Sequence, residues 1–323
     1  MTFPSRQEIR ICFGHPAYQV AGAFKKLRPD IDGYEVRTAE EFIARIGEAD
    51  VVVCSGFWKN DLLPKAKKLR FIQSISAGVN QYDAALLKAA GVRLASAQGA
   101  NKNAVSDHTM SLILAMSRRL PEARDNQHKR FWRPMQSNFD TREDELAGKT
   151  LVVVGVGAIG ARVIHLAKAF EMHVIGIRRD VAAGTAGADE VYSFKHLHTV
   201  LPRADFVALN CPLTDETRHL IDESALSEFK SSAYLLNLAR GGCVDEQALI
   251  QALKAGKLRG AALDCADSEP LPESSELWSM PNVFITPHTG GETVKYETNV
   301  AELLATNLDR LWAGKVVLAN QVV

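Results

Sequence analysis

Residues 151–160 read LVVVGVGAIG, a run of aliphatic, mostly β-branched side chains that stops abruptly on three glycines. Beyond them Ile159, Val163, Leu166, Ala167 and Phe170 recur at helical spacing. Parallel strands need a crossover connection, usually a helix, so a chain that alternates such strands with helices predicts a parallel sheet clothed in helices. The glycines have separable duties. Gly155 permits the tight turn, Gly157 lets backbone approach a pyrophosphate, and Gly160 lets helix and strand pack closely, while the N–H groups of Ala158 and Ile159 open the helix toward phosphate charge. The same pattern without ligand is a plain βα turn, and it also occurs in methyltransferases and other nucleotide folds. The ordered strand, turn and helix favour a dinucleotide.

The alternation extends along the chain. Strand-like runs fall at 9–13, 34–38, 50–55, 70–76 and 92–97, with helix candidates at 16–28, 39–48, 60–67 and 82–90, the last ended by Gly91. Residues 103–120 form an amphipathic linking helix that stops at Pro121, and the more polar 121–147, carrying Phe131, Trp132 and Pro134, reads as irregular or helical surface and a candidate oligomer contact. From 149 the runs LVVVGVG, HVIGIR, FVALN, AYLLNLA, GAALDCA and VFITPH make a second series, and 290–313 returns to helical spacing. With 323 residues, two doubly wound α/β domains of Rossmann-like type with a cleft between them are expected. The final helix is expected to rejoin the first domain, giving a discontinuous substrate domain (1–100 and 286–323) and a dinucleotide domain (101–285).

Composition narrows the class. Lys+Arg and Asp+Glu balance at 38 each, which offers no argument for nucleic acid or an anionic membrane. The start, MTFPSRQEIR, lacks a signal-peptide apolar run, and no stretch approaches the length of a membrane span. The five cysteines are scattered without metal-site spacing, so reduced core thiols, no metal and a cytoplasmic location are expected.

The strand after the glycine helix, HVIGIRRD, bears on the choice of nicotinamide. Arg178 and Arg179 stand where an acidic residue would bind a ribose 2′-hydroxyl, and two guanidiniums suit a 2′-phosphate, so NADP(H) is favoured with NAD(H) possible. The competing readings are a solvated pair, or Asp180 slipping into the ribose role. Three further segments follow apolar runs: LLNLARGGCVDE (235–246), ALDCADSEP (262–270) and ITPHTGG (285–290 and Gly291). Active groups of parallel sheets sit beyond strand C-termini, which places Arg240, Glu269 and His288 at one end of the sheet. Reduction of a carbonyl by hydride needs a proton donor and a cation for a substrate carboxylate, roles that His and Arg fill, with a carboxylate to orient the ring.

These segments, together with SAGVNQYD (76–83), NAVSDHTMSLIL (103–114), CPLTDETRHLI (211–221) and LWSMPNVFITPH (277–288), resemble the D-isomer-specific 2-hydroxyacid dehydrogenase family over nearly the whole chain. The resemblance implies reversible reduction of a 2-oxo acid to a D-2-hydroxy acid. It implies that His288 is the general acid and base, Glu269 its partner, and Arg240 the ligand of substrate carboxylate and carbonyl. Backbone N–H groups of Ala77, Gly78 and Val79 would receive the carboxylate, and Asp264 the nicotinamide carboxamide. Cys211, Pro212, Thr217 and Ala239, with His288, would border the cofactor, and the protein would be a homodimer formed through the cofactor domains.

Each residue alone has a blander reading: Arg240 as an ion-paired surface residue, Glu269 as a loop carboxylate, His288 and Asp264 as turn caps. Eight other histidines, His108 among them, show no partner pattern. The pattern departs from the family at Asn80, at Gly290, and at Phe57 and Trp58. An aromatic from that last loop, Trp58 in particular, is expected either to line the substrate side and favour a larger 2-oxo acid over glyoxylate, or to pack in the core. A dinucleotide-sensing corepressor is the alternative class, while Glu269 speaks against a formate-type dehydrogenase, which would carry an amide there.

Overall fold

Strands that are apolar on both faces have to be covered on both faces, and this requirement organises the structure, a computed structural model that describes residues 3–323. In chain order the elements are β1 (Arg10–Gly14), α1 (Val20–Leu27), β2 (Asp32–Val36), α2 (Ala39–Arg45), β3 (Val51–Cys54), β4 (Phe71–Ser74), α3 (Ala84–Ala89) and β5 (Arg93–Ala95). Next come α4 (Lys102–Ser117), α5 (Leu120–His128), β6 (Thr150–Val154), α6 (Ala158–Ala169), β7 (His173–Ile177), β8 (Glu190–Tyr192), α7 (Leu197–Val200), β9 (Phe206–Leu209) and α8 (Glu223–Ser227). The chain continues through β10 (Tyr234–Asn237), α9 (Glu246–Lys254), β11 (Gly260–Leu263), β12 (Val283–Ile285) and α10 (Tyr296–Trp312).

Two units result, one from the chain up to Asn101 with Thr293–Val323, the other from Lys102–Glu292. The chain therefore re-enters the first unit at Thr293 rather than at 286, because the loop after β12 is tied to β11, as described below. The first unit holds a five-stranded sheet ordered β2-β1-β3-β4-β5, the second a seven-stranded sheet ordered β12-β11-β10-β9-β6-β7-β8, with every strand pair parallel. Both are doubly wound, as the alternation predicts. Strand order reverses between β6 and β9 in the larger sheet, and such a switch point opens a crevice beyond the strand ends.

The period-two alternation divides each core. In the first sheet Ile11, Phe13, Val51 and Val53 face α1 and α10, whereas Cys12, Val52, Cys54 and Ile72 face Phe42, Trp58 and Leu87. In the second, Val152, Val154, Val207 and Leu235 build one layer, and Leu151, Val153, Ala208 and Leu236 the other, with α4 and α6. All five cysteines are buried and unbridged. No helix among the described residues is long and apolar enough to cross a membrane.

Three local expectations change. The helix expected over 60–67 is a single 3-10 turn at Asn60–Leu62, since Pro64 supplies no N–H to continue it. The break after α4 comes at Arg119, which adopts φ +51°, and Pro121 then sits in the first turn of α5, where a missing donor costs nothing. Trp58 is 2% exposed, packed beside Tyr82 with its Nε1 donating to Asn60 Oδ1 at 3.0 Å. That burial removes it from any substrate wall. Phe57 is partly buried against the same layer.

The tail helix is pinned by a buried amide pair. Asn307 Nδ2 donates to Gln73 Oε1 (2.9 Å) and its Oδ1 accepts from Ala319 N (2.7 Å), while Gln73 Nε2 donates to Ala95 O and Ser96 O. Both amides are fully buried. Asn307→Ala leaves partners unpaired in the core and is expected to lower the stability of the first unit by about 2–3 kcal/mol. Hydrogen exchange checks it: amides of β4 and β5 should exchange faster while those of β6 and β9 keep their protection.

Candidate active site

Close backbone contacts at the ends of the β6, β9, β10 and β11 strands create the site in the second unit. Gly155 has φ +98°, and a Cβ there would lie 2.6 Å from Cys211 N, so the β6 and β9 ends meet only through glycine. A Cβ on Gly160 would lie 2.1 Å from Gly155 O, which seats α6 directly on the turn. Gly157 differs. A Cβ there meets no atom within 4 Å; Gly157 and Ala158 are exposed, and no side chain caps α6. The N–H groups of Ala158 and Ile159 therefore head an open space at a twelve-residue helix, a cradle that fits a pyrophosphate.

At the end of β7, Arg178 Nη1 donates to Ala183 O and Gly184 O (3.3 and 2.8 Å), leaving its other donors available. Arg179 is exposed, with Glu216 at 3.5 Å. Asp180 is exposed and caps its own turn, its Oδ1 accepting from Ala182 N at 3.0 Å. Beyond β9, Pro212 is exposed, but Cys211 and Thr217 are 3% and 2% exposed. Thr217 Oγ1 donates to Pro212 O (2.7 Å) and accepts from Thr214 N (2.8 Å), so its side chain clasps the loop and offers no ligand contact. This corrects the expectation that Thr217 itself borders the cofactor. Cys211 and Ala239 likewise turn their side chains into the core, which leaves only their backbone for a ligand.

Asn237, a buried residue that the sequence reading passed over, closes the turn after β10. Its Oδ1 accepts from Ala239 N at 3.1 Å and its Nδ2 donates to Arg240 O at 3.0 Å. Arg240 is thereby held exposed, with Nη1 donating to Ala239 O (2.7 Å). The next residue, Gly241, could carry no Cβ, which would fall 1.9 Å from Ala266 O; the Arg240 turn is thus pressed against the loop after β11. That loop supplies Glu269, whose Oε1 accepts from Ala266 N (3.1 Å) and whose Oε2 lies 2.8 Å from His288 Nδ1. His288 sits at φ +56°, a conformation rare for a side-chain-bearing residue. Both side chains stay about two-fifths exposed. Their pairing leaves Nε2 of His288 free. Asp264, Glu269 and His288 border one cavity of about 440 Å³, walled by Leu271, Trp278 and Ile285.

Asp264 is 4% exposed. Its carboxylate accepts from Thr286 Oγ1 (2.6 Å), Thr289 N (3.1 Å) and Gly290 N (3.0 Å), and His108 Nε2 lies 3.4 Å away. Burial pushes this carboxyl up, but the hydrogen bonds of His108, Thr286 and Gly290 outweigh it and hold it below its ordinary value. His108 therefore does have partners, which no local spacing signals. The remaining expected residues lie in the first unit. Ala77, Gly78 and Val79 follow β4, and among the described residues their N–H groups meet no protein acceptor.

Comparison with known proteins agrees with this geometry. The sequence model for "D-isomer specific 2-hydroxyacid dehydrogenase, NAD binding domain" matches residues 110–290. The chain belongs to the D-isomer specific 2-hydroxyacid dehydrogenase family. Its reaction class is hydride exchange between a nicotinamide dinucleotide and a 2-oxo acid/2-hydroxy acid pair. Among family members, a glyoxylate/hydroxypyruvate reductase B of Citrobacter koseri is 35% identical over 284 residues, 86% of each chain. A glyoxylate reductase of Thermofilum pendens is 34% identical over 287 residues, 86% of this chain and 82% of that protein. A D-3-phosphoglycerate dehydrogenase of Methanocaldococcus jannaschii is 35% identical over 303 residues, but the matched 92% of this chain spans only 56% of that protein. The crystal structure of a D-isomer specific 2-hydroxyacid dehydrogenase family protein from Aeromonas salmonicida superposes with TM-score 0.84 at 30% identity, covering 98% of this chain and 99% of that one.

The open space at Gly157 is testable. At φ −93° alanine is permitted, so Gly157→Ala should leave the melting temperature within about 2 °C yet weaken dinucleotide binding about 10-fold, because the new methyl occupies phosphate space. Differential scanning calorimetry beside a fluorescence titration with the reduced dinucleotide separates the two effects.

Proposed function

We propose that this chain reduces a small 2-oxo acid to its D-2-hydroxy acid with NADPH preferred over NADH, and that it works as a cytoplasmic homodimer. The observation that carries the catalytic assignment is the 2.8 Å His288–Glu269 pair, set with Arg240 at the strand ends of the sheet whose first turn is the glycine cradle. With its pyrophosphate in that cradle, the dinucleotide would supply from its nicotinamide ring the hydride that reduces the substrate's 2-carbon. Glu269 accepts a hydrogen bond from Nδ1–H of His288, which fixes the ring and leaves Nε2 to deliver a proton to the carbonyl oxygen, and to recover it in the oxidative direction. Arg240, pinned by Asn237 and by its own bond to Ala239 O, offers a fixed cation for the substrate carboxylate and for negative charge developing on the carbonyl oxygen. The N–H groups of Ala77, Gly78 and Val79, which meet no protein acceptor among the described residues, suit a carboxylate as well. Gly157, Ala158, Ile159 and the exposed Pro212 would hold the pyrophosphate and ribose, and Asp264 the carboxamide.

Preference for the phosphorylated cofactor rests on Arg178 and Arg179 at the end of β7. The homodimer rests on Phe131, Trp132, Met135 and Phe139, four large apolar side chains left 53–101% exposed on one surface segment. Five unbridged cysteines suit a reducing compartment.

His288→Ala and Arg240→Ala are each expected to lower kcat/KM by about 10³-fold or more while the dissociation constant for NADPH changes less than about 3-fold. Steady-state rates on a panel of 2-oxo acids, with binding measured separately, provide the check; normal turnover in either variant refutes the assignment. On the same panel, Arg178→Ala/Arg179→Ala should raise KM for NADPH about 10-fold and leave KM for NADH unchanged. Tight dinucleotide binding with no turnover on any 2-oxo acid would instead indicate a sensor.

A further inference from the structure

The carboxylate of Asp264 is gripped from three separate elements: α4 through His108, the end of β12 through Thr286, and the following loop through Thr289 and Gly290. Proton counting fixes the direction of the contacts. Thr286 has one hydroxyl proton, and the 2.6 Å contact commits it to Asp264 Oδ1. The hydroxyl must then accept on its other side, where His108 Nε2 lies at 3.0 Å, so Nε2 carries hydrogen and donates. The same N–H is 3.4 Å from Oδ1, close enough to lend that oxygen a donor dipole. Oδ1 is saturated by Thr286 and by the N–H groups of Thr289 and Gly290. The Gly290 N–H is shared between the two oxygens, and among the described residues Oδ2 accepts only that branch, at 3.0 Å, which leaves a lone pair for an incoming N–H donor.

Space around this arrangement is used to the limit. A Cβ on Gly290 would lie 2.7 Å from Asp264 Oδ2 and 3.0 Å from His108 Cδ2. Glycine is what allows the loop to deliver its N–H and still leave the imidazole in place. We infer that His108 and Thr286 form a positioning relay, in which the imidazole orients the threonine hydroxyl and the hydroxyl holds Oδ1, so that Oδ2 is aimed at a primary-amide N–H of the dinucleotide. The inference rests on the assignment of Asp264 to the nicotinamide carboxamide. His108 and Thr286 touch neither reactant. Their effect is on the angle at which the nicotinamide is held, to which hydride transfer is sensitive.

A merely structural His108, fastening α4 to the sheet, would produce a general loss that does not depend on the amide. The reduced 3-acetylpyridine analogue of the dinucleotide, which has a methyl ketone in place of the primary amide, tells the two apart. His108→Ala and Thr286→Val should each weaken binding of the amide-bearing reduced dinucleotide about 10-fold, with a matching fall in kcat, and weaken the analogue less than about 2-fold. His108→Gln and Thr286→Ser retain a donor and a hydroxyl, and should recover most of the loss. Asp264→Asn is measured alongside. Equal losses with both dinucleotides overturn the relay in favour of packing. Loss in Asp264→Asn with no effect in the His108 and Thr286 variants overturns the relay alone, and no effect in Asp264→Asn overturns the carboxamide assignment and the relay together. If His108→Ala fails to fold, Thr286→Val compared with Thr286→Ser carries the same test.

Discussion

Backbone-to-backbone approach at strand ends is the constraint on which the rest of the second unit depends. Gly155 lies against Cys211, Gly160 against Gly155, and Gly241 against Ala266, each at a distance no side chain would tolerate. A parallel sheet spreads its strand ends apart as it twists. These contacts draw the loops back together, so that groups more than a hundred residues apart in sequence share one rim of the sheet. The polar chemistry is secondary to that steric fact: the turn that carries Arg240 and the loop that carries Glu269 adjoin because a hydrogen atom, rather than a methyl group, occupies the space between them.

The polar groups then divide into two kinds. His288, Glu269 and Arg240 are left partly exposed with donors or acceptors still uncommitted. Asn237, Thr217 and Asp264 are almost wholly buried, with side chains engaged by neighbouring backbone or hydroxyl groups. The first kind can meet a reactant, and the second holds the first in register. Buried amides and carboxylates are favourable in such positions only when their bonds are satisfied, which makes each turn a single geometry rather than a family of them.

Much of this was legible in the sequence because it follows from local periodicity and turn chemistry. Runs such as VVVC at 51–54 and LVVV at 151–154 are apolar on both faces and announce buried parallel strands, and the glycine turn announces its helix. Arg240, Glu269 and His288 stood out because each follows such a run. What was missed depends on contacts that no window contains. His108 meets Thr286 across 178 residues, and nothing within its own helix indicates it. For Trp58 the sequence leaves two readings, a substrate wall or core packing, and the second holds because its loop folds back on the sheet and buries the ring. The return to the first unit at Thr293, beyond the end of β12 at Ile285, follows from the bonds of Thr289 and Gly290 to Asp264, which tie the loop after β12 to the strand before it.

The return of α10 to the first sheet has a temporal meaning as well as a spatial one. Ile11, Phe13, Val51 and Val53 share a layer with Val300, Leu304 and Leu308. During synthesis the strands of the first unit leave the ribosome long before the helix that covers this face, while the whole of Lys102–Glu292 is already available to fold by itself. The order of emergence and the order of completion are therefore reversed: the unit that is started first is finished last. Until residue 312 has emerged, this face of the first sheet has α1 alone to cover it, and the interval over which the rest must avoid other partners is set by the length of the inserted unit.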